Sequence, residues 1–276
     1  AIAGLEMDIG VALFDRSTRT PRITSAGRAV LAEARTILGR VDHLMARARA
    51  IAAGLEAELL LAVSVVVPRA ALIDLLDAFR TEFPAVGLRL FVEEVGGAPQ
   101  LVMDRQADLG LVGRPSLAAS LYEGLEAVSV GAVEIVAVAR PDHPLALLDR
   151  ALSQADMDDH RQLVPTSRAL PRYANRLVQD VWEVADLVVR RDMLQRGLGW
   201  GTVPRHIVGD ALARGDLMEL DISARPQEAM RVPRYACHRK DTAPGPAAQW
   251  LIDAMPTALS SSLSHKIPVS TLNPGS

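Results

Sequence analysis

From Val30 onward the small and apolar residues fall at Val30, Ala34, Ile37, Val41, Leu44, Ala48, Ile51 and Leu55. The spacing alternates four and three without a break, the heptad seam of two helices packed along their length. Arg35, Arg40, Asp42, Arg47 and Arg49 occupy the remaining positions, as a solvated face would, and no Pro interrupts the run. The pattern predicts one long helix within Ile23–Leu55. A helix lying on its own domain's core would use a wider stripe drifting at about 3.6 residues per turn. The strict spacing favours a dimer seam.

What flanks this helix decides what the chain does. With 276 residues there is room for two domains and a sizeable core. Hydrophobic residues make up 49%, yet no uninterrupted apolar span reaches membrane length. Ala1–Glu6 has no basic segment and no signal-peptide core, and no Met opens the chain, so the start of the natural protein is expected to be missing. Cys237 is the single cysteine, which excludes an intramolecular disulfide, a dithiol sensor and a cysteine-based metal cluster. A cytoplasmic location is the expectation. Residues 1–55 hold eight Arg, no Lys and five acids, whereas the whole chain carries −3. A basic N-terminal segment on an acidic body suggests a nucleic-acid arm on a domain with another task.

Ile2, Leu5 and Ile9 lie on one face of a short helix, and Gly10 is a plausible C-cap. Val11–Phe14 reads as a short strand, Asp15–Thr20 as a turn and Pro21–Ile23 as the returning strand; Thr24 and Ser25 are N-cap candidates for the long helix. Helix, hairpin, helix is the rear half of a winged helix-turn-helix. Arg16, Arg19 and Arg22 would then project from the wing toward DNA phosphates or the minor groove, with Thr24 beside them. The plain alternative is a solvated turn.

These residues carry a resemblance. Leu5-Glu6, Gly10, Leu13-Phe14-Asp15-Arg16 and Ile23-Thr24-Ser25-Ala26-Gly27 are similar to the LysR-type transcriptional regulators, departing by Ile23 where the family usually has Leu. The resemblance implies a winged helix-turn-helix followed by a dimerising linker helix. It also implies that the first helices and the front of the recognition helix are absent from this chain.

Beyond Glu58 the composition shifts. Leu59–Val67 is a continuous, β-branched apolar run, as in a strand buried on both faces of a parallel sheet. Pro68 opens a helix whose stripe is Leu72, Leu75, Leu76 and Phe79. Val86–Val92 reads as a strand, Gly96–Met103 as a helix and Asp108–Val112 as a third strand. This repetition makes the fold class α/β. A second unit follows, with strands at Val133–Val138, Gln162–Pro165, Leu198–Val203 and Leu217–Leu220, helices at Asp186–Arg196 and Pro204–Arg214, a return strand at Arg234–Cys237 and a last helix at Ala247–Met255.

This half resembles the effector domain of the same family through Leu76-x-x-Phe79-Arg80-x-x-x-Pro84, Ala107–Leu111, Pro141–Leu145 and Gly197–Pro204. The resemblance implies two α/β lobes of periplasmic-binding-protein type, preceded by the partial winged helix-turn-helix and the long dimerisation helix. The expected division is 1–23 for the wing, 24–58 for the linker helix, 59–130 and 230–258 for lobe one, 131–229 for lobe two and 259–276 for a loose tail. The chain would cross between lobes near Ser129–Val133 and Ala224–Val232. Partners implied are promoter DNA, a small-molecule effector and further copies of the chain as homodimer or homotetramer, with no membrane and no cofactor.

Ligands of open α/β sheets sit beyond the carboxyl ends of strands, near helix N-termini. That selects Ser64, Val65 and Val66, Gly113 and Arg114, Thr166 and Ser167, and Gly199 and Trp200 as effector candidates. Ser64 could equally bond neighbouring backbone, Thr166 and Ser167 could cap a helix, and Trp200 could pack between layers. Converging helix N-termini favour a small carboxylate; an aromatic effector lying on Trp200 is the competing expectation. The six histidines show no metal-ligand spacing, and no nucleophile elbow, P-loop or dinucleotide motif occurs. An enzyme is therefore not expected. A ligand-responsive regulator is preferred over a solute-binding protein without a gene-regulatory role.

Overall fold

The structure, a computed structural model, describes residues 2–17, 21–52, 54–94, 96–113, 123–148, 150–166, 176–223 and 230–261. The chain divides into two compact units, Ala1–Ala57 and Glu58–Ser276.

The first unit holds helix α1 (Ile2–Ile9), strands β1 (Phe14–Asp15) and β2 (Arg22–Ile23), and helix α2 (Ser25–Ala52). β1 and β2 pair antiparallel. The expected strand at Val11–Phe14 shrinks to its last residue because the Leu13 and Phe14 amides donate to the Glu6 carboxylate (2.7 and 3.0 Å). Thr24 caps α2: its hydroxyl accepts from the Gly27 amide at 2.9 Å and donates to the Ala12 carbonyl at 2.9 Å. Gly27 is required there, since a Cβ would stand 2.2 Å from the Leu13 carbonyl oxygen.

α2 runs 28 residues, about 42 Å at 1.5 Å per residue. It ends at Ala52, three residues short of the heptad stripe. Gly54 takes φ +85°, a left-handed turn, so Leu55 lies beyond the helix and is not a helical seam position. Ile37, Val41 and Leu44 are exposed, and so are Leu31, Leu38 and Met45 beside them.

The second unit is a two-lobed α/β domain built on one nine-stranded sheet. Lobe one centres on β3 (Glu58–Ser64), parallel to β4 (Gly87–Glu93) and β5 (Leu109–Gly113), with crossover helices α3 (Arg69–Glu82) and α4 (Gly97–Met103). The apolar run of β3 is explained by its two covered faces. Leu59, Leu61 and Val63 pack against α3 and the last helix; Leu60 and Ala62 pack under α4 with Val102 and Cys237. Phe79, Phe83 and Trp250 close the outer rim with ring centroids 5.4 to 6.2 Å apart.

β6 (Leu125–Ala139) is a single 15-residue strand, longer than its expected core. Its first half pairs with β11 (Arg231–Arg239) in lobe one and its second half with β9 (Trp200–Pro204) in lobe two. The register of β6 and β11 shifts between Arg234 and Tyr235, opposite Gly131, whose φ is +113°. Ser129–Val133 thus lies inside a strand that continues from one lobe to the other. Only Met230–Val232 of the second expected crossing is among the described residues.

Lobe two adds α5 (Gln154–Asp158), β7 (Gln162–Pro165), β8 (Val181–Val184), α6 (Leu187–Gln195), α7 (Arg205–Arg214) and β10 (Met218–Glu219). β7 is parallel to β8 and β9. Gly201 lets β9 close on β7, because a Cβ would meet the Leu163 carbonyl at 2.5 Å. The final helix, α8 (Pro246–Ser261), returns to lobe one and packs on α3.

Candidate functional site

In lobe one the parallel strands end at Ser64, Glu93 and Gly113. Ser64 is 3% exposed, and its hydroxyl has no hydrogen-bond partner among the described residues. Its carbonyl accepts from the Val67 amide at 3.0 Å, and the Val65 amide donates to the Glu93 carbonyl at 2.9 Å. These bonds curl the backbone into α3, whose N-cap Pro68 supplies no side-chain acceptor for the first turn. Val66 stands beside Gly113, with its Cγ2 3.6 Å from where a glycine Cβ would be. Val65 packs on the lobe-two core of Val136, Leu163, Leu187 and Val203. Ser64, Val65, Val66 and Gly113 therefore gather where lobe one meets lobe two. Arg114 and Ser167 lie outside the described residues.

In lobe two β7 and β8 end at Pro165 and Val184. Thr166 follows β7 and donates to the Glu183 carboxylate at 3.4 Å, which also holds Arg176. Asp186 follows β8 and caps α6, accepting from the Val189 amide at 2.7 Å.

Gly199 and Trp200 are corrected as effector candidates. Trp200 opens β9 opposite Gln162, the first residue of β7, whereas Thr166 lies just past the far end of β7. At about 3.3 Å per residue the two ends are roughly 13 Å apart. Trp200 is fully buried among Leu145, Leu152 and Met157, and its indole donates to the His160 carbonyl at 3.2 Å. The ring offers no surface to a ligand. Gly199 sits within 2.5 Å, at its missing Cβ, of the Arg161 carbonyl, so its glycine serves packing.

Two charged residues not selected from the sequence occupy the junction instead. Arg190 is one of three buried residues of α6, with Leu187 and Leu194. Burial lowers its pKa to about 10, opposed by the charge of Glu94. Glu94 follows β4; burial first, then Asp186 and Glu93, push its carboxyl above the usual range, while Arg190 opposes the shift. The available signal was a cation at a core position of an amphipathic stripe.

In the first unit Arg16 donates to Glu6 at 3.1 Å. The Phe14 and Leu13 amides hold the Glu6 carboxyl below its ordinary range, with Arg16 adding to the effect. Glu6 is thus the clasp between α1 and the wing. Arg22 is exposed and Arg19 lies outside the described residues. The Thr24 hydroxyl is already committed to capping. Cys237 is buried, and burial pushes its thiol up to about 12, which rules out an activated nucleophile. Among the described residues no group of three or more His, Cys, Asp or Glu is placed to hold a metal ion, and no helix is long and apolar enough to cross a membrane.

Residues 52–260 match the LysR substrate binding domain. The chain belongs to the LysR-type transcriptional regulators. Members of this family are regulators with effector-binding domains, not enzymes. Curated LysR-type relatives include the probable HTH-type transcriptional regulator YhaJ of Escherichia coli, 27% identical over 256 residues, spanning 91% of this chain and 83% of YhaJ. The uncharacterized regulator YeeY of the same organism is 28% identical over 225 residues, 80% of this chain and 72% of YeeY. Among solved structures, a Corynebacterium glutamicum OxyR C206 mutant aligns with TM-score 0.59 at 18% identity, over 95% of this chain and 83% of that one. The Synechocystis CcmR regulatory domain in complex with 2-PG aligns with TM-score 0.60 at 20% identity, over 73% of this chain and 97% of that domain. At these identities the structural likeness speaks for the fold of a LysR effector domain alone.

Proposed function

We propose that this LysR-type regulator binds promoter DNA through its first unit and a small-molecule effector between the lobes of its second. Its functional division is 1–23 for the wing, 24–58 for the linker helix, 59–130 with 230–258 for lobe one and 131–229 for lobe two, acting in the cytoplasm. The observation that carries the effector reading is the Ser64 hydroxyl, buried without a partner where α3 starts and lobe two begins. A buried hydroxyl without a partner is costly, and a ligand acceptor relieves it. Thr166 and Gly113 are the further lining residues of this reading; Arg114 and Ser167, the sequence candidates next to them in the chain, lie outside the described residues. Effector binding favours one arrangement of the lobes and so of the arms on DNA.

The DNA reading rests on the wing arginines, Arg16, Arg19 and Arg22, with Thr24 at the base of the wing. The dimer reading rests on the uncovered apolar face of α2. The deciding experiment measures binding to duplex DNA by fluorescence anisotropy across a salt series. Arg22→Ala is expected to weaken operator and unrelated DNA alike and to flatten the slope of log K against log salt by about 0.9. A loss confined to one operator base would mean direct base reading and would overturn the wing assignment. For the effector, Ser64→Ala and Thr166→Val are expected to weaken a ligand found by thermal shift at least tenfold; unchanged affinity in both would remove the cleft reading.

A further inference from the structure

Arg190 is buried on the core side of α6 at 5% exposure, between Leu187 and Leu194. Its Nε and Nη1 make no hydrogen bond, and no acid among the described residues forms a direct ion pair with it. A guanidinium held in an apolar surround without an acceptor is a large cost to carry unless something arrives to use it. Its resolved charge partner is Glu94, on the other lobe at the end of β4. The Glu94 carboxylate accepts no hydrogen bond among the described residues, and the charges of Glu93 and Asp186 crowd it. Ser64 pairs in register with Glu93, and its own buried hydroxyl is unused. Val65, next to Ser64, packs on the core that contains Leu187, one turn before Arg190 on the same buried face of α6, so the unsatisfied hydroxyl and the unsatisfied cation stand on the two sides of one lobe junction, with Arg190 in the field of Glu94 and Glu94 in the fields of Asp186 and Glu93.

That charge pattern discriminates among small molecules. A dianion would satisfy Arg190 but be repelled by Glu93, Glu94 and Asp186, and a simple cation would suit the carboxylates but leave Arg190 buried and unpaired. A molecule with both charges satisfies both sides. We propose that the cleft takes a small zwitterion, an α-amino acid or a similar amino carboxylate, whose carboxylate accepts from Arg190 and Ser64 and whose ammonium donates to Glu94. This rests on reading the cleft as the effector site, and it makes Arg190 the anchor and Glu94 the selecting group. Binding then bridges α6 of lobe two to β3 and β4 of lobe one, which couples occupancy to the lobe arrangement.

The test is thermal shift followed by calorimetry on the whole chain at neutral pH. The probes are the protein amino acids, the deaminated acid and decarboxylated amine of each hit, and succinate and inorganic phosphate. At least one amino acid is expected to raise the melting temperature, with its acid and amine at least 100-fold weaker. Arg190→Met should abolish that binding, Arg190→Lys should restore part of it, and Glu94→Gln should weaken the amino acid at least tenfold. Without ligand, Arg190→Met should melt at or above the wild-type temperature, which separates lost binding from misfolding. No shift from any amino acid, or an amino-acid shift unchanged in Arg190→Met and Glu94→Gln, overturns the proposal. A shift produced only by succinate or phosphate and lost in Ser64→Ala overturns the zwitterion assignment while leaving the cleft in place.

Discussion

The apolar residues of β3 and those of α2 have opposite fates. Leu59, Leu61 and Val63 are 0 to 1% exposed, whereas Ile37, Leu38, Val41 and Leu44 are 47 to 64% exposed in the same chain. Both segments are equally legible as apolar patterns, one continuous and one spaced by heptads. The difference is where the partner surface comes from. β3 has a helix layer on each face from its own lobe. The described apolar side chains of α2 are exposed, and the proposed partner surface for them is a second copy. The face is also wider than the heptad seam, because Leu31, Leu38 and Met45 extend it on one side. A wide stripe was the mark of a helix on its own core; here the stripe is wide and its described side chains are exposed.

The comparison breaks most decisively at Leu61. Leu61→Ala leaves a cavity under α3 and should cost about 3–5 kcal/mol, read from denaturant unfolding of the second unit. If the loss were under about 1 kcal/mol, β3 would not be the core strand described. Changing Ile37, Val41 and Leu44 together to Asp should do the reverse. Melting of the second unit should stay put, while light scattering shows the assembly falling to a smaller mass, with association weakened at least 100-fold, about 3 kcal/mol. An unchanged mass would mean that the α2 face does not hold copies together.

Gly27 sharpens the contrast inside the first unit, where almost everything else is exposed. Gly27→Ala forces a Cβ against the Leu13 carbonyl and should destabilise this unit by about 1–3 kcal/mol, seen as faster amide exchange at the start of α2. The smallest effect belongs to Glu6. Its folded pKa lies below its ordinary 4.5, so the unfolded state binds the proton more readily. The clasp is complete above pH 4.5 and is lost as pH falls through the lower folded value. Amide shifts of Leu13 and Phe14 should move with that titration, and Glu6→Gln should flatten it.

The α/β class, the long helix, the order of most elements and the Thr24 cap were legible because each rests on a local period or a turn residue. Leu72, Leu75 and Phe79 are core because a helix repeats; Leu59–Val63 are core because a doubly covered strand needs no alternation. β8 was not legible, since Val181-Trp182-Glu183-Val184 is short and mixed. The full length of β6 was hidden by Ser129-Val130-Gly131, which read as a crossing until β11 supplied the partner edge.

By itself the sequence determined that this chain would be an α/β domain behind a basic helical arm, because periodicity, composition and capping act over a few residues. Only the tertiary structure decided what meets at the cleft. Direction and register of strand pairing send Trp200 to the far end of the sheet from Thr166, though both flank strands of one lobe. The same pairings bring Glu94 of one lobe into the field of Arg190 in the other, a relation between residues nearly a hundred positions apart. Whether a charge finds a partner is a property of the packed interior, and no local pattern carries it.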